Sequence, residues 1–299
     1  MNLIAGIIVL LLISSASLVA QPKVLIVNAH PDDESGCAAT VYKLTHDLKA
    51  TVDLCLITNG EAGFKYSTLA ESWYGYELTD EITGRLHLPR IRKQEMMNAG
   101  KIIGLRNIIF LEHLDHRYTT DVEEVFRDAW KKDIVRAQIQ SLLEKGSYDY
   151  VFVLLPTPET HGGHKGASIL ALEAVRALPA DKRPIVLGVG LGRSASTADS
   201  TIQTPKTLAE YPITSLKSGT PPFIFNRAAK FGFNDRLNYK IIVQWLVAEH
   251  KSQGTVQLGI GDIDSEYFWY FDMNPPDGVA TVAKLFHELS ILRFTKKTY

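Results

Sequence analysis

The sequence predicts an α/β fold: a doubly wound, mostly parallel sheet with helices on both faces. Three observations carry that prediction. Short apolar runs of strand length recur at residues 23–28, 51–58, 107–111, 149–155 and 184–190. Segments of helical periodicity separate them, at 36–48, 91–103, 129–145 and 165–178, as the crossovers of a parallel sheet require. Polar, chemistry-bearing residues gather directly after two of the runs, where open α/β sheets hold ligands.

The first run, Lys23 to Asn28, reads as the first strand and delivers Ala29, His30, Pro31, Asp32, Asp33 and Glu34. A catalytic zinc takes three protein ligands of nitrogen, oxygen or sulfur and keeps a position open for water. His30 and Asp33 can supply two of the three, Pro31 stiffens the turn, and Asp32 is free to act as a base beside a metal-activated water. The competing reading is a helix N-cap, because acidic residues suit a first helical turn. The helix 36–48, the strand 51–58 and the helix 91–103, which ends near Gly104, follow. Between them Phe64 to Pro89 reads as a loop carrying Tyr66, Trp73, Tyr74, Tyr76 and His87, aromatic residues suited to the apolar face of a sugar ring or simply to packing on one another. The strand 107–111 leads to Asp115, His116 and Arg117.

The strand 149–155 leads into Thr160, His161, Gly162, Gly163, His164, Lys165 and Gly166, then the helix 165–178. Two histidines three apart at a second strand end can converge on the first cluster if the strands are neighbours. One would then bind metal and the other face the substrate. After the strand 184–190 the pattern weakens through a Ser/Thr-rich stretch to about Ser218, then recovers in a helix at 239–253 and another at 278–289. A single domain, 21–299, with a C-terminal elaboration at about 193–299, accounts for this order.

With these motifs in place the chain resembles the PIG-L/LmbE-like zinc-dependent de-N-acetylases, a family with a Rossmann-like fold. Five segments carry the resemblance in the family's order: Ala29 to Glu34; Thr58, Asn59, Gly60, Glu61, Ala62, Gly63; Arg92 to Glu95; the His161/His164 loop; and His250, Lys251, Ser252, Gln253. The resemblance implies His30, Asp33 and His164 as ligands of one Zn2+, with Fe2+ or Co2+ fitting a similar shell. It implies Asp32 as general base and His161 as the group that stabilises the oxyanion or protonates the leaving amine. The implied reaction is removal of an acetyl group from an N-acetylated sugar or glycoconjugate of the N-acetylglucosaminyl type by a zinc-activated water. A deacylase of a non-sugar amide is one alternative, and a non-catalytic, metal-containing carbohydrate binder is another. Arg92, Tyr66, Trp73 and Asp115 are the candidate substrate contacts. Members often carry an acidic residue just before the second histidine, where this chain has Gly163.

Composition narrows the partners. The 299 residues carry 32 Lys and Arg against 33 Asp and Glu, a net charge of -1, with no dense basic run to attract nucleic acid. Leu3 to Ile13 are all apolar or glycine and no side chain is charged before Lys23, so residues 1–20 read as a secretory signal peptide. A secreted or periplasmic protein follows, with membrane contact only if the segment stays as an anchor. Cys37 and Cys55 are expected as buried free thiols.

Overall fold

The computed structural model describes residues 21–292, apart from Ala195, Thr197 and Ser200. The expected signal segment, residues 1–20, lies outside the described residues. In chain order the elements are β1 (Lys23–Asn28), α1 (Ala38–His46), β2 (Thr51–Thr58), α2 (Glu71–Tyr74), α3 (Glu81–Ile103), β3 (Asn107–His113), α4 (Val122–Asp128), α5 (Lys132–Gly146), β4 (Tyr150–Leu154), α6 (Gly162–Ala177), β5 (Ile185–Gly192), β6 (Phe223–Asn226), α7 (Lys240–Glu249), β7 (Ser265–Tyr270) and α8 (Gly278–Ser290). The seven strands form one sheet in the order β3-β2-β1-β4-β5-β7-β6. β1 to β5 run parallel, while β7 is antiparallel to β5 and to β6.

Both faces of the sheet are covered, which explains why β1 reads as a continuous apolar run rather than an alternating one. Val24 and Ile26 pack under α1, α3, α7 and α8, whereas Leu25 and Val27 pack under α4, α5 and α6. The strand order reverses between β1 and β4, which pair in parallel from Val24 with Tyr150 to Val27 with Val153. A crevice opens at such a reversal, because the crossovers from the two strands leave to opposite sides. The His30–Glu34 segment and the His161/His164 loop leave the carboxyl ends of these two strands, so they flank one crevice.

Several boundaries differ from the sequence expectation. The first crossover opens with a 3-10 turn, Asp33–Cys37, before α1 begins at Ala38. The expected helix at 129–145 is α5, which starts three residues later at Lys132, and a separate short helix, α4, precedes it, with the buried Trp130 between them donating from Nε1 to Leu114 O at 2.9 Å. Helix α3 begins ten residues before Ile91 and runs through Pro89. Asp80 caps it by accepting from Thr83 N at 2.9 Å, and burial of Gly84, Leu88, Ile91, Arg92 and Glu95 on one side holds it across the missing proline donor. The segment read as a loop over 64–89 is therefore largely helical, with a small core of Phe64, Ala70, Leu78, Leu88 and Ile91.

Beyond residue 193 the chain completes the sheet with β6 and β7, two strands that sequence periodicity did not mark. These strands also secure the first crossover. Glu266 of β7 accepts from Ala39 N and Thr40 N, each at 2.9 Å, at the amino end of α1. Arg227, fully buried, pairs with Glu266 at 2.8 Å and donates to Ser35 O at 2.7 Å. Every charge of this buried pair has partners, the condition under which such a pair holds two segments together. Cys37 and Cys55 are free and buried. No helix among the described residues is long and apolar enough to cross a membrane.

Candidate active site

The crevice holds a cavity of about 450 Å³ whose lining includes His30, Asp32, Asp33, His161 and His164. At its floor three side chains converge. His164 Nε2 is 2.9 Å from Asp33 Oδ1 and 3.1 Å from His30 Nδ1, and His30 Nδ1 is 3.6 Å from Asp33 Oδ2. Ligand atoms at about 2.0–2.1 Å from a tetrahedral zinc stand roughly 3.3 Å from one another, so these separations, which involve both Asp33 oxygens, are of the size found along the edges of a metal shell. The ring nitrogens of His30, His161 and His164 also lie within 4.8 Å of one another. The triad with Asp33 differs in offering an anionic donor to a cation.

The fold prepares each ligand. Asp33 Oδ2 accepts from the backbone N–H groups of Ala29 and His30 at 3.1 and 2.9 Å, which fixes the carboxylate. His30 Nε2 is 3.1 Å from Asp115 Oδ1, so the proton sits on Nε2 and the Nδ1 lone pair faces the triad. Asp115 is itself held, accepting from Ala62 N at 2.9 Å through Oδ2 and giving its own N–H to Glu61 Oε1 at 2.8 Å. Burial alone lowers the proton affinity of His30, but Asp115 and Asp33 outweigh it and raise the pKa to about 10. A site that binds a proton so firmly favours positive charge, and a metal ion on Nδ1 takes that proton's place. Burial would raise Asp33, yet His164 and His30 hold it well below the usual carboxylate range.

Asp32 stands beside the triad in a backbone conformation that L residues rarely adopt, φ 130° and ψ -19°. Such strain costs on the order of 1–3 kcal/mol and persists only where surrounding bonds impose it. Here Asp32 N donates to Glu34 Oε2 at 2.9 Å, and Glu34 Oε1 meets His250 Nε2 at 2.6 Å in a fully buried pair. Arg92 Nη2 donates to Asp32 Oδ2 at 2.9 Å. Burial pushes the Asp32 carboxyl up to about 6, with Arg92 opposing and Asp33 adding to the rise. His161, at the amino end of α6, is taken down to about 4 by burial and by its neighbours His30 and His164. It is neutral at pH 7, and its buried Nε2 has no partner.

Two of the four expected substrate contacts, Arg92 and Asp115, line the cavity and are hydrogen-bonded to the site's own residues. The Arg92 guanidinium is 2% exposed and spent on Asp32, Pro31 O and Gly60 O. Gly60, at φ 74°, makes room for it, since a Cβ there would lie 2.2 Å from Arg92 Nη1. Asp115 has both oxygens engaged, one with His30 and one with Ala62 N. Trp73 stands outside the cavity lining, 70% exposed, with Lys251 Nζ 5.8 Å from its ring centre. Only Tyr66 of the four lines the cavity with its side chain uncommitted. Asp115→Ala is expected to weaken metal affinity about 10–100-fold, the usual cost of losing the carboxylate behind a ligating histidine. Isothermal titration of the metal-free variant with zinc measures it.

Other residues gained roles that sequence reasoning left open. Glu34 holds the strained turn, and Glu95 accepts from Ser252 N and Oγ at 2.8 and 2.6 Å, docking the His250–Gln253 segment against α3. Gln253, His116, Tyr118, Leu191, Val256 and Ile260 also line the cavity. Gln253 and His116 lie in segments the sequence had singled out, whereas Tyr118, Leu191, Val256 and Ile260 have no local sequence signal, because the fold alone brings them to the crevice.

The family model described as PIG-L, GlcNAc-PI de-N-acetylase, matches residues 25–175, half of the chain. The chain belongs to this family. That match covers the metal-site segments of both strand ends. Among curated relatives, the "Probable N-acetyl-alpha-D-glucosaminyl L-malate deacetylase 2" of Bacillus cereus is 23% identical over 171 residues, 57% of this chain and 69% of that protein. The crystal structure of the A40926 pseudoaglycone deacetylase superposes with a TM-score of 0.51 at 15% identity, covering 85% of this chain and 98% of the other, and shares the fold. The N,N'-diacetylchitobiose deacetylase of Pyrococcus horikoshii is 27% identical over 52% of this chain, with a TM-score of 0.39. This chain spans about half, 49%, of that structure.

Proposed function

We propose that this PIG-L-family protein is a metal-dependent hydrolase that removes the acetyl group from an N-acetylglucosamine-type sugar or glycoconjugate. The observation that carries this reading is the 2.9–3.6 Å convergence of His30, Asp33 and His164 beside a strained, partly buried Asp32. The family match and the deacetylases among its relatives support the reaction class. The three side chains would hold Zn2+, which as a Lewis acid lowers the pKa of a water from about 15.7 toward 7 and polarises the amide carbonyl.

The protein's own groups divide the remaining work. Asp32, held by Arg92 and Glu34, takes the proton of the attacking water. Its raised pKa lets it keep that proton long enough to pass it to the departing amine, so one group serves as base and then acid. His161 is neutral and its Nε2 has no protein partner, so it donates a hydrogen bond to the carbonyl oxygen as negative charge develops there. Tyr66 and the apolar residues Leu154, Leu191, Val256 and Ile260 shape the space for the substrate.

Acetate release from a panel of N-acetylated sugars, with metal analysis of the same preparation, tests the reading. Chelation is expected to abolish release and added zinc to restore it. Asp32 must be ionised to act, so the rate is expected to fall as pH drops, with an acidic limb at or below about pH 6 because a bound cation favours the carboxylate. A protein that carries stoichiometric metal yet releases no acetate from any sugar or simple amide would be a binder and not an enzyme.

A further inference from the structure

His161 is the least tethered of the three histidines in the site. His30 has Asp115 on Nε2 and His164 has Asp33 on Nε2, but the buried Nε2 of His161 is unpartnered and no hydrogen bond to its ring occurs among the described residues. A ring that must aim one nitrogen at a reacting atom is normally held by a hydrogen bond on the other. The neighbouring position that could offer a carboxylate is Gly163, where an added Cβ would lie 3.2 Å from His161 Nδ1. Something else must set the plane of this ring.

The ring of Tyr118 does so by its geometry. It lies nearly parallel to the His161 imidazole, 12° between planes and 5.1 Å between centres. On the other sides His30 is tilted at 5.2 Å and His164 stands edge-on at 5.2 Å. The pairing is built into the backbone, since the residue after His161 bonds the residue after Tyr118, Gly162 N donating to Thr119 O at 2.7 Å. Lys165, buried one position beyond His164, locks the same two loops by donating to Thr120 O at 2.7 Å and Pro158 O at 2.5 Å. Tyr118 is 68% exposed, so its contact with His161 is not incidental to a packed core.

We propose that Tyr118 is a positioning residue: its stacked ring holds the His161 imidazole in the orientation that aims Nε2 at the reacting carbonyl, in place of a hydrogen-bonded carboxylate. This rests on the deacetylase reading above. Stacking needs the ring and not the hydroxyl, which separates Tyr118→Phe from Tyr118→Ala. For Tyr118→Ala, kcat for acetate release is expected to fall about five- to tenfold, the size of one aromatic pair, with KM, bound metal and melting temperature unchanged. Tyr118→Phe is expected to keep the wild-type kcat.

A second measurement needs no substrate. Carbethoxylation of His161 by diethyl pyrocarbonate, followed by peptide mass spectrometry, is expected to run several-fold faster in Tyr118→Ala and at the wild-type rate in Tyr118→Phe. If no N-acetyl substrate is turned over by the wild type, the deacetylase reading fails while this labelling still decides whether Tyr118 covers His161. The proposal is overturned if Tyr118→Ala changes neither kcat nor labelling. An effect confined to KM also overturns it, in favour of a sugar platform, as does a Phe variant as impaired as Ala.

Discussion

Replacing Asp32 with Asn is expected to lower kcat for acetate release by about three orders of magnitude while leaving the bound metal unchanged. A positioned general base contributes roughly 10²–10⁴-fold, and the amide can neither take a proton from water nor return one to the amine. The variant should fold. Asn tolerates positive φ better than most residues, its Oδ1 can still accept from Arg92 Nη2, and the Asp32 N–H to Glu34 bond belongs to the backbone. Stability offers a second check. The folded-state pKa of Asp32 is raised from 3.8 to about 6, so the folded protein binds this proton more tightly than the unfolded chain does. Its contribution is present below the unfolded value and is lost as pH climbs toward 6, leaving the ionised carboxylate unfavourable at neutral pH. Asn carries no charge there, and at pH 7 the variant is expected to melt at or above the wild-type temperature. Loss of metal from Asp32→Asn would contradict its separation from the ligand set.

His164→Ala is expected to do the opposite. It deletes the atom 2.9 Å from Asp33 and 3.1 Å from His30, so both metal affinity and kcat/KM should fall more than a hundredfold, beyond the cost of losing a supporting group behind a ligand. His164 lies in the first turn of α6 and is only partly buried, so alanine there leaves the helix intact. Metal titration and kinetics on one preparation compare the two variants. Equal metal loss in both would mean that Asp32 and His164 do not play separate roles.

The parallel half of the fold was legible because its strands read as apolar runs, with β1, β2 and β4 buried on both faces and β3 half-buried at the edge of the sheet. β6 and β7 were not legible. They pair antiparallel beyond β5, β6 is only four residues long, and both follow the Ser/Thr-rich stretch in which the periodic pattern weakens. Helix α3 was underestimated because Pro89 looks like a boundary, while burial of Gly84, Leu88 and Ile91 against Phe64 and Leu78 carries the helix across it. For the site, His30, Asp32, Asp33, His161 and His164 were named from motifs and the structure brings all five to one cavity. Arg92 and Asp115 were noticed for their chemistry, but their bonds to Asp32 and His30 were not legible, because a sequence does not say which neighbour a charged side chain meets. The bonds of Glu34 to His250, Glu95 to Ser252 and Arg227 to Ser35 O span 157 to 216 residues, a separation no local pattern encodes.

By itself the sequence determined the α/β class, the two strand ends that carry the chemistry and the residues able to hold a metal, since hydrophobic period and ligand type are local properties. Tertiary structure alone decided that β1 and β4 are neighbours at the reversal of strand order, so that His30 and His164, 134 residues apart, stand 3.1 Å from each other. It also decided that the Asp115 carboxylate meets His30 while that of Asp32 meets Arg92 beside the triad. Those choices depend on burial and on hydrogen-bond partners supplied by distant segments, and they exist only once the sheet has closed around the crevice.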